Sequence, residues 1–223
     1  MVNSINRLMT QVLKTLKLIK EQVKDYIVPS VTQISRKNDA YQVLISCILS
    51  LRTKDKTTLA ASQRLFKIAD KPESMLKLSA GKIQKLIYPV GFYRNKSRVI
   101  LNLSKRLLED FSGKVPHSLS ALLELNGVGR KTANLVLGLG FGIPAICVDT
   151  HVHRIANRLG WVKTRNPGET EFALQEIIPR NKWIELNTLL VAFGQNLCFP
   201  LSPFCSRCKV YRLCKKVGVD KSR

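Results

Sequence analysis

"LELNGVGRKTANLVLGL", residues 123–139, sets two glycines and an Arg-Lys pair between two apolar runs. Leu122, Leu123 and Leu125 close one apolar segment, and Ala133, Leu135, Val136, Leu137 and Leu139 open another, both at helical spacing. A connection of so few residues between helices must reverse sharply. Gly127 and Gly129 reach positive φ without a Cβ clash, and Asn126 also tolerates such a turn. The backbone N–H groups of Gly127, Val128 and Gly129 then fall at the start of the second helix, where its dipole favours an anion, with Arg130 and Lys131 in its first turn. The stretch reads as an ordinary tight helical hairpin or as a phosphate cradle, and the rest of the chain has to separate the two.

Composition bounds the choice. The chain has 223 residues, 45% of them hydrophobic, enough for one large or two smaller cores. Lys and Arg number 37 against 15 Asp and Glu, a formal net charge of +22. Concentrated like charge opposes compaction unless a polyanion or counterions screen it, so nucleic acid leads as the partner. An anionic membrane ranks second, but no membrane partner is expected; no run of 18 apolar residues occurs, which argues against a membrane-spanning helix. Residues 1–20 are basic and carry no acid, but Leu8, Val12, Leu16, Ile19 and Val23 keep helical spacing past Glu21. They predict a structural first helix rather than a leader, and a reducing compartment is the expectation.

The rest reads as helices with short punctuation. "YQVLISCILSL" (41–51) is apolar nearly all round, as a buried helix would be, with Asn38 or Asp39 as its cap. Further helices are predicted around 57–68, 73–78, 80–87, 95–110, 118–125, 130–139, 150–159, 169–177 and 183–194. "LIYPVGFYRNKSRVILNL" (86–103) echoes the 122–139 stretch and suggests a second hairpin. No strand alternation is evident, so the fold class is all-α.

Four of the six cysteines fall together as C-x6-C-x2-C-x5-C: Cys198, Cys205, Cys208 and Cys214. Cys47 and Cys147 sit in apolar contexts and read as buried thiols. Four thiolates suit zinc or a [4Fe–4S] cluster, and with only one C-x2-C knuckle the spacing favours iron–sulfur. Arg207 and Lys209, with Arg212, Lys215 and Lys216, make the same loop basic.

The hairpin "LNGVGRKTA", the downstream "VDTHVHR" and the terminal cysteine spacing, in that order, resemble the endonuclease III branch of the helix-hairpin-helix DNA glycosylases. The resemblance covers nearly the whole chain. It implies two helical domains flanking a DNA-binding cleft, namely a six-helix barrel with the helix-hairpin-helix over residues 34–143 and an iron–sulfur cluster domain from 1–33 and 144–223. Carried over by motif, Lys131 is the nucleophile, Asp149 its acidic partner, and Cys198, Cys205, Cys208 and Cys214 the ligands of a [4Fe–4S] cluster. Gly127, Val128, Gly129, Arg130, Arg207 and Lys209 become DNA contacts. The residue that fills the hole left by an extruded base falls at Arg52 and the wedging residue at Phe92. Family members often carry glutamine and leucine there, which leaves the opposite-base preference open.

The chemistry stands beside the resemblance. A lysine in the first turn of a helix, beside Arg130, should have its ammonium disfavoured and its pKa depressed. A neutral amine there can attack C1′ of an extruded nucleotide. Asp149 before "THVHRIANRLG" reads equally as the helix N-cap, and the two roles are compatible. His151 and His153, at i and i+2 on a helix, point apart and make a poor metal pair. The implied activity is a bifunctional DNA glycosylase and abasic-site lyase acting on oxidised or ring-saturated pyrimidines in damaged double-stranded DNA, as a monomer. The expected location is cytoplasmic and nucleoid-associated in a prokaryote, nuclear or organellar in a eukaryote. A mismatch-type glycosylase of the same fold and a non-catalytic iron–sulfur DNA-binding module are the alternatives.

Overall fold

A computed structural model of the chain describes residues 2–36 and 39–223, the side chains of residues 2–5 excepted. In chain order its helices are α1 (Val2–Gln22), α2 (Ser30–Ser35), α3 (Ala40–Ser50), α4 (Asp55–Phe66), α5 (Pro72–Leu76), α6 (Ala80–Ile87), α7 (Tyr93–Phe111), α8 (Leu119–Leu123), α9 (Arg130–Phe141), α10 (Thr150–Leu159), α11 (Pro167–Ile177) and α12 (Trp183–Asn196). Short 3-10 turns cover Arg180–Lys182 and Cys205–Arg207. All regular structure among the described residues is helical. None of these helices is long and apolar enough to cross a membrane.

Two compact units divide the chain, one of residues 29–143 and one of residues 1–28 with 144–223. In the first, α3 is the hub. Every residue from Tyr41 to Leu49 is buried, and α2, α4, α7 and α9 all pack on it. Asp39 caps α3, its Oδ1 accepting from Gln42 N at 3.0 Å, while Asn38, the other cap foreseen, lies outside the described residues. Helix α9 reaches the hub through a glycine: a Cβ on Gly140 would lie 3.1 Å from Ala40 Cα, so the two backbones nearly touch. That contact sets the last turn of α9 against the start of α3.

In the second unit, Val12, Leu16 and Ile19 of α1 share a core with Val152, Ile155 and Leu159 of α10 and with Leu186, Leu190 and Phe193 of α12. The periodic apolar residues of the N-terminal segment therefore serve packing. Cys47 and Cys147 are both buried, each 2% exposed.

Candidate functional site

The hairpin between α8 and α9 is tighter than its sequence suggested. Helix α8 ends at Leu123 because Leu125 N donates to Leu122 O and Val128 N to Leu125 O, at 3.3 and 3.0 Å, winding the chain into successive tight turns. Only Gly127 adopts a positive φ, +85°. Gly129 is extended at φ −92° and serves as the N-cap of α9, which corrects the expectation that both glycines turn left-handed. A second correction concerns Val128, whose N–H is spent on Leu125 O and whose side chain is buried, so it is no open donor.

The two glycines answer different needs. A Cβ on Gly127 would meet Val99 Cγ1 at 2.9 Å, so this residue lets the turn lie against α7. A Cβ on Gly129 would meet nothing within 4 Å, so the backbone there faces open space. Asp39, Ser79, Ser118, Asp149 and Asn166 each cap a helix with a side chain, whereas the N-cap of α9 has none to offer. The start of α9 shares this lack of a side-chain cap with α2, α4, α7 and α12, and its dipole favours an anion.

Lys131, exposed in the first turn of α9, lines a cavity of about 540 Å³ together with Arg52, Phe92, Asn95, Lys96 and Gly127. That size falls within the range of about 300–1,000 Å³ usual for sites that enclose small molecules. Its ammonium is felt at the hub helix: burial pushes the Cys47 thiol up to about 12, and the charge of Lys131 draws it back in part. Arg52 and Phe92 share an unusual backbone, with φ of +52° and +58°, and the Arg52 guanidinium lies 5.7 Å from the centre of the Phe92 ring. Both side chains are exposed. Two bulky residues held left-handed on adjoining loops is the kind of local strain that collects at functional sites. Lys96, only 6% exposed, also reaches this cavity and escaped the sequence reading, because a lysine amid the polar residues of an amphipathic helix reads as solvated.

Asp149, in the other unit, caps α10. Its Oδ1 accepts from His151 N and Val152 N, both at 2.9 Å. The segment leading to it is held from the side by Asn187, whose Nδ2 donates to Cys147 O at 3.2 Å, a tie with no local signal in the residue pattern. The two histidines go separate ways: His151 Nδ1 lies 3.2 Å from Arg154 Nη2, and His153 Nδ1 lies 2.7 Å from Thr170 Oγ1.

Cys198, Cys205, Cys208 and Cys214 together line a cavity whose walls include Leu159, Phe193, Phe204 and Val210. Among the described residues, no three or more His, Cys, Asp or Glu side chains converge as the ligands of one metal ion would. The thiols instead ring a space, and burial pushes Cys208 up to about 11 and raises Cys214, so a ligand would have to displace protons. Arg158 supplies the test of fit. It is 6% exposed, its Nη1 donates to Cys198 Sγ at 3.5 Å and its Nη2 to Pro200 O at 2.6 Å, while its buried Nε has no partner. A buried guanidinium beside four thiols calls for negative charge, which metal-bound thiolates carry. Lys216 N also donates to Cys214 Sγ at 3.3 Å. Nearby, Arg207 lies over the Phe204 ring at 5.5 Å, and Lys209 N donates to Gln22 Oε1.

Comparison with known proteins accords with this geometry. A family model described as HhH-GPD superfamily base excision DNA repair protein matches residues 45–180. The endonuclease III of Thermotoga maritima is 45% identical over 195 residues, covering 87% of this chain and 92% of that protein. A chloroplastic endonuclease III homologue of Arabidopsis thaliana is 44% identical, covering 80% of this chain but 48% of its own length. Among solved structures, a trapped endonuclease III–DNA covalent intermediate, an estranged-adenine complex, superposes with a TM-score of 0.82 at 31% identity, covering 93% of this chain and 96% of that one.

Proposed function

The chain belongs to the HhH-GPD superfamily of base excision DNA repair proteins, and from that premise we propose that it is a bifunctional DNA glycosylase and abasic-site lyase for oxidised or ring-saturated pyrimidines. The observation that carries this reading is the cavity in which Lys131 stands at the mouth of a glycine-capped helix beside Arg52 and Phe92.

In the proposed reaction, the first turn of α9 receives a phosphate flanking the lesion, and the damaged nucleotide is extruded into the cavity. Lys131 Nζ, as the neutral amine, attacks C1′. The glycosidic bond breaks, its electron pair leaves with the base, and the base takes up a proton. Opening of the sugar gives the Schiff base between C1′ and Lys131. Loss of a proton from C2′ then expels the 3′ phosphate, cutting the strand. We assign Asp149 the stabilisation of positive charge at C1′, or proton exchange with Lys131, alongside its capping of α10. Arg52, which can hydrogen-bond an orphaned base, and Phe92, which can wedge into the stack, occupy the space the nucleotide leaves. Of the hairpin contacts, Gly127, Gly129 and Arg130 are proposed to meet phosphate; Arg207 and Lys209 belong to a basic loop proposed to do the same.

The cysteine cavity fits a [4Fe–4S] cluster, with Cys198, Cys205, Cys208 and Cys214 as its ligands. When bound, the cluster supplies four iron–thiolate bonds that cross-link residues 198–214. Arg158 holds Pro200 O and touches Cys198 Sγ, so the chain's own contribution is to brace that loop.

The test is strand cleavage of a duplex carrying one thymine glycol and of one carrying an abasic site. The wild type should cut both and Lys131→Ala neither. A protein that binds both duplexes and cuts neither would be a monofunctional, mismatch-type glycosylase or a non-catalytic module.

A further inference from the structure

The loops that carry Arg52 and Phe92 are tied together by one buried ammonium and one hydroxyl. Lys96, from the first turns of α7, donates Nζ to Leu49 O at 2.9 Å, Leu51 O at 2.5 Å and Thr53 Oγ1 at 3.1 Å. The first two acceptors are carbonyls at the C-terminal end of α3, groups a helix leaves without internal partners. Thr53 Oγ1 also accepts from Gly91 N at 3.1 Å and lies 3.3 Å from Leu51 O as its own donor. Its hydroxyl is thus used to capacity, with one proton given and two lone pairs filled. The two backbones also touch, since a Cβ on Gly91 would stand 2.6 Å from Arg52 O. From the far side, Arg64 Nε donates to Leu86 O at 2.8 Å and Nη2 to Tyr88 O at 2.5 Å, anchoring the loop that ends in Phe92.

We infer that Lys96 and Thr53 form a clamp that fixes Arg52 and Phe92 as a single rigid tip, making Lys96 a positioning residue for nucleotide extrusion. The inference deepens the proposed function and rests on it for what the tip does. Apart from the bond to Leu49 O, every bond in the clamp holds a residue adjoining Arg52 or Phe92: Leu51 and Thr53 flank the first, and Gly91 precedes the second. Left-handed backbone at non-glycine residues is strained and persists only where the surroundings over-determine it. The clamp is that over-determination. A tip set in advance spends none of the binding energy on ordering two loops when the nucleotide leaves the stack. Lys96 lines the same cavity as Lys131, but its ammonium is committed to three acceptors. That commitment sets it apart from the nucleophile.

Two variants test this, Lys96→Met, which keeps the stem and removes the donors, and Thr53→Val, which leaves Lys96 in place. Both are first checked for native circular dichroism and a cooperative melt. In the protein without DNA, hydrogen exchange at the Gly91 amide should quicken at least tenfold in each. Single-turnover release of thymine glycol should fall at least tenfold in Lys96→Met. Fluorescence of a 2-aminopurine opposite the lesion, which reports unstacking, should fall with it. Borohydride trapping on a preformed abasic duplex, whose nucleotide is already unpaired, should fall less than threefold. Unchanged Gly91 exchange in both folded variants would overturn the clamp, whatever the enzyme's substrate. Loss of trapping equal to the loss of base release would also overturn it, by moving Lys96 into the chemistry. A wild type that releases no pyrimidine lesion would instead refute the functional reading, with the clamp still judged by Gly91.

Discussion

Asp149 has two roles to separate, and the pair Asp149→Asn and Asp149→Ala separates them. Its Oδ1 receives two first-turn amides of α10 at 2.9 Å each, and that helix buries Val152, Ile155 and Leu159 in the core. Losing an Asp cap costs about 0.5–2 kcal/mol, and losing a negative charge at a helix N-terminus adds about 0.3–1 kcal/mol. With both bonds on one oxygen and the helix packed, Asp149→Ala should destabilise by about 2 kcal/mol, lowering Tm by about 4–8 °C for a chain of this size. Asparagine keeps an acceptor oxygen in the same place, so Asp149→Asn should lose under about 1 kcal/mol, the charge contribution alone. Activity should divide otherwise. Both variants lack the carboxylate, and single-turnover base release should fall by about 10²–10⁴ in each, the range for loss of a positioned acid–base group. Melts followed by circular dichroism and single-turnover gels measure the two quantities. Full activity in a stable Asp149→Asn would refute the catalytic role and leave Asp149 a cap only. A melt unchanged in Asp149→Ala would refute the cap energetics.

The glycines of the hairpin should fail differently: Gly127→Ala meets Val99 Cγ1 at 2.9 Å with φ at +85°, and should cost about 1–2 kcal/mol in denaturant titration. Gly129→Ala has open space and an extended backbone, so it should melt as the wild type does while binding duplex DNA more weakly by gel shift. Binding to damaged duplex should be steeply salt-dependent: if about five phosphates are neutralised, a threefold rise in salt weakens it about a hundredfold, and a flat response in fluorescence anisotropy would contradict the basic-surface reading. Burial lowers the Lys96 ammonium from 10.5 to about 8, so between those values the unfolded chain binds the extra proton. On this group's account stability is complete above 10.5 and is lost as pH falls through 8. The wild type should therefore gain on Lys96→Met as pH rises from 8 to 10, by at most about 3 kcal/mol, in paired urea titrations.

The all-helical fold was readable because helical periodicity, short punctuation and capping residues agree along the chain. "YQVLISCILSL" announced a buried hub by being apolar nearly all round, and α3 is that hub. The hairpin announced a turn, but two glycines two residues apart do not say which one turns left-handed. Only the fold distinguishes them, by setting Gly127 so close to Val99 of α7 that a Cβ would meet its Cγ1 at 2.9 Å. The four clustered cysteines were visible as a set, whereas Arg158, forty residues before Cys198, became part of their surroundings only by folding. Lys96 and Thr53 were invisible for the same reason. Nothing local distinguishes a lysine that will be buried on three acceptors from one that faces water. Arg52 and Phe92 ran against propensity, since bulky side chains seldom take a left-handed backbone, and motif resemblance alone pointed to them.

The proposed chemistry turns on one covalent bond, and borohydride reduction preserves it. The protein is mixed with a duplex bearing a single thymine glycol, reduced, digested and sequenced by mass spectrometry, with Lys131→Ala in parallel. A sugar adduct on Lys131 Nζ, absent from the variant, is the predicted result. An adduct on another amine such as Lys96, or base release with no adduct from either protein, would contradict the account at its centre.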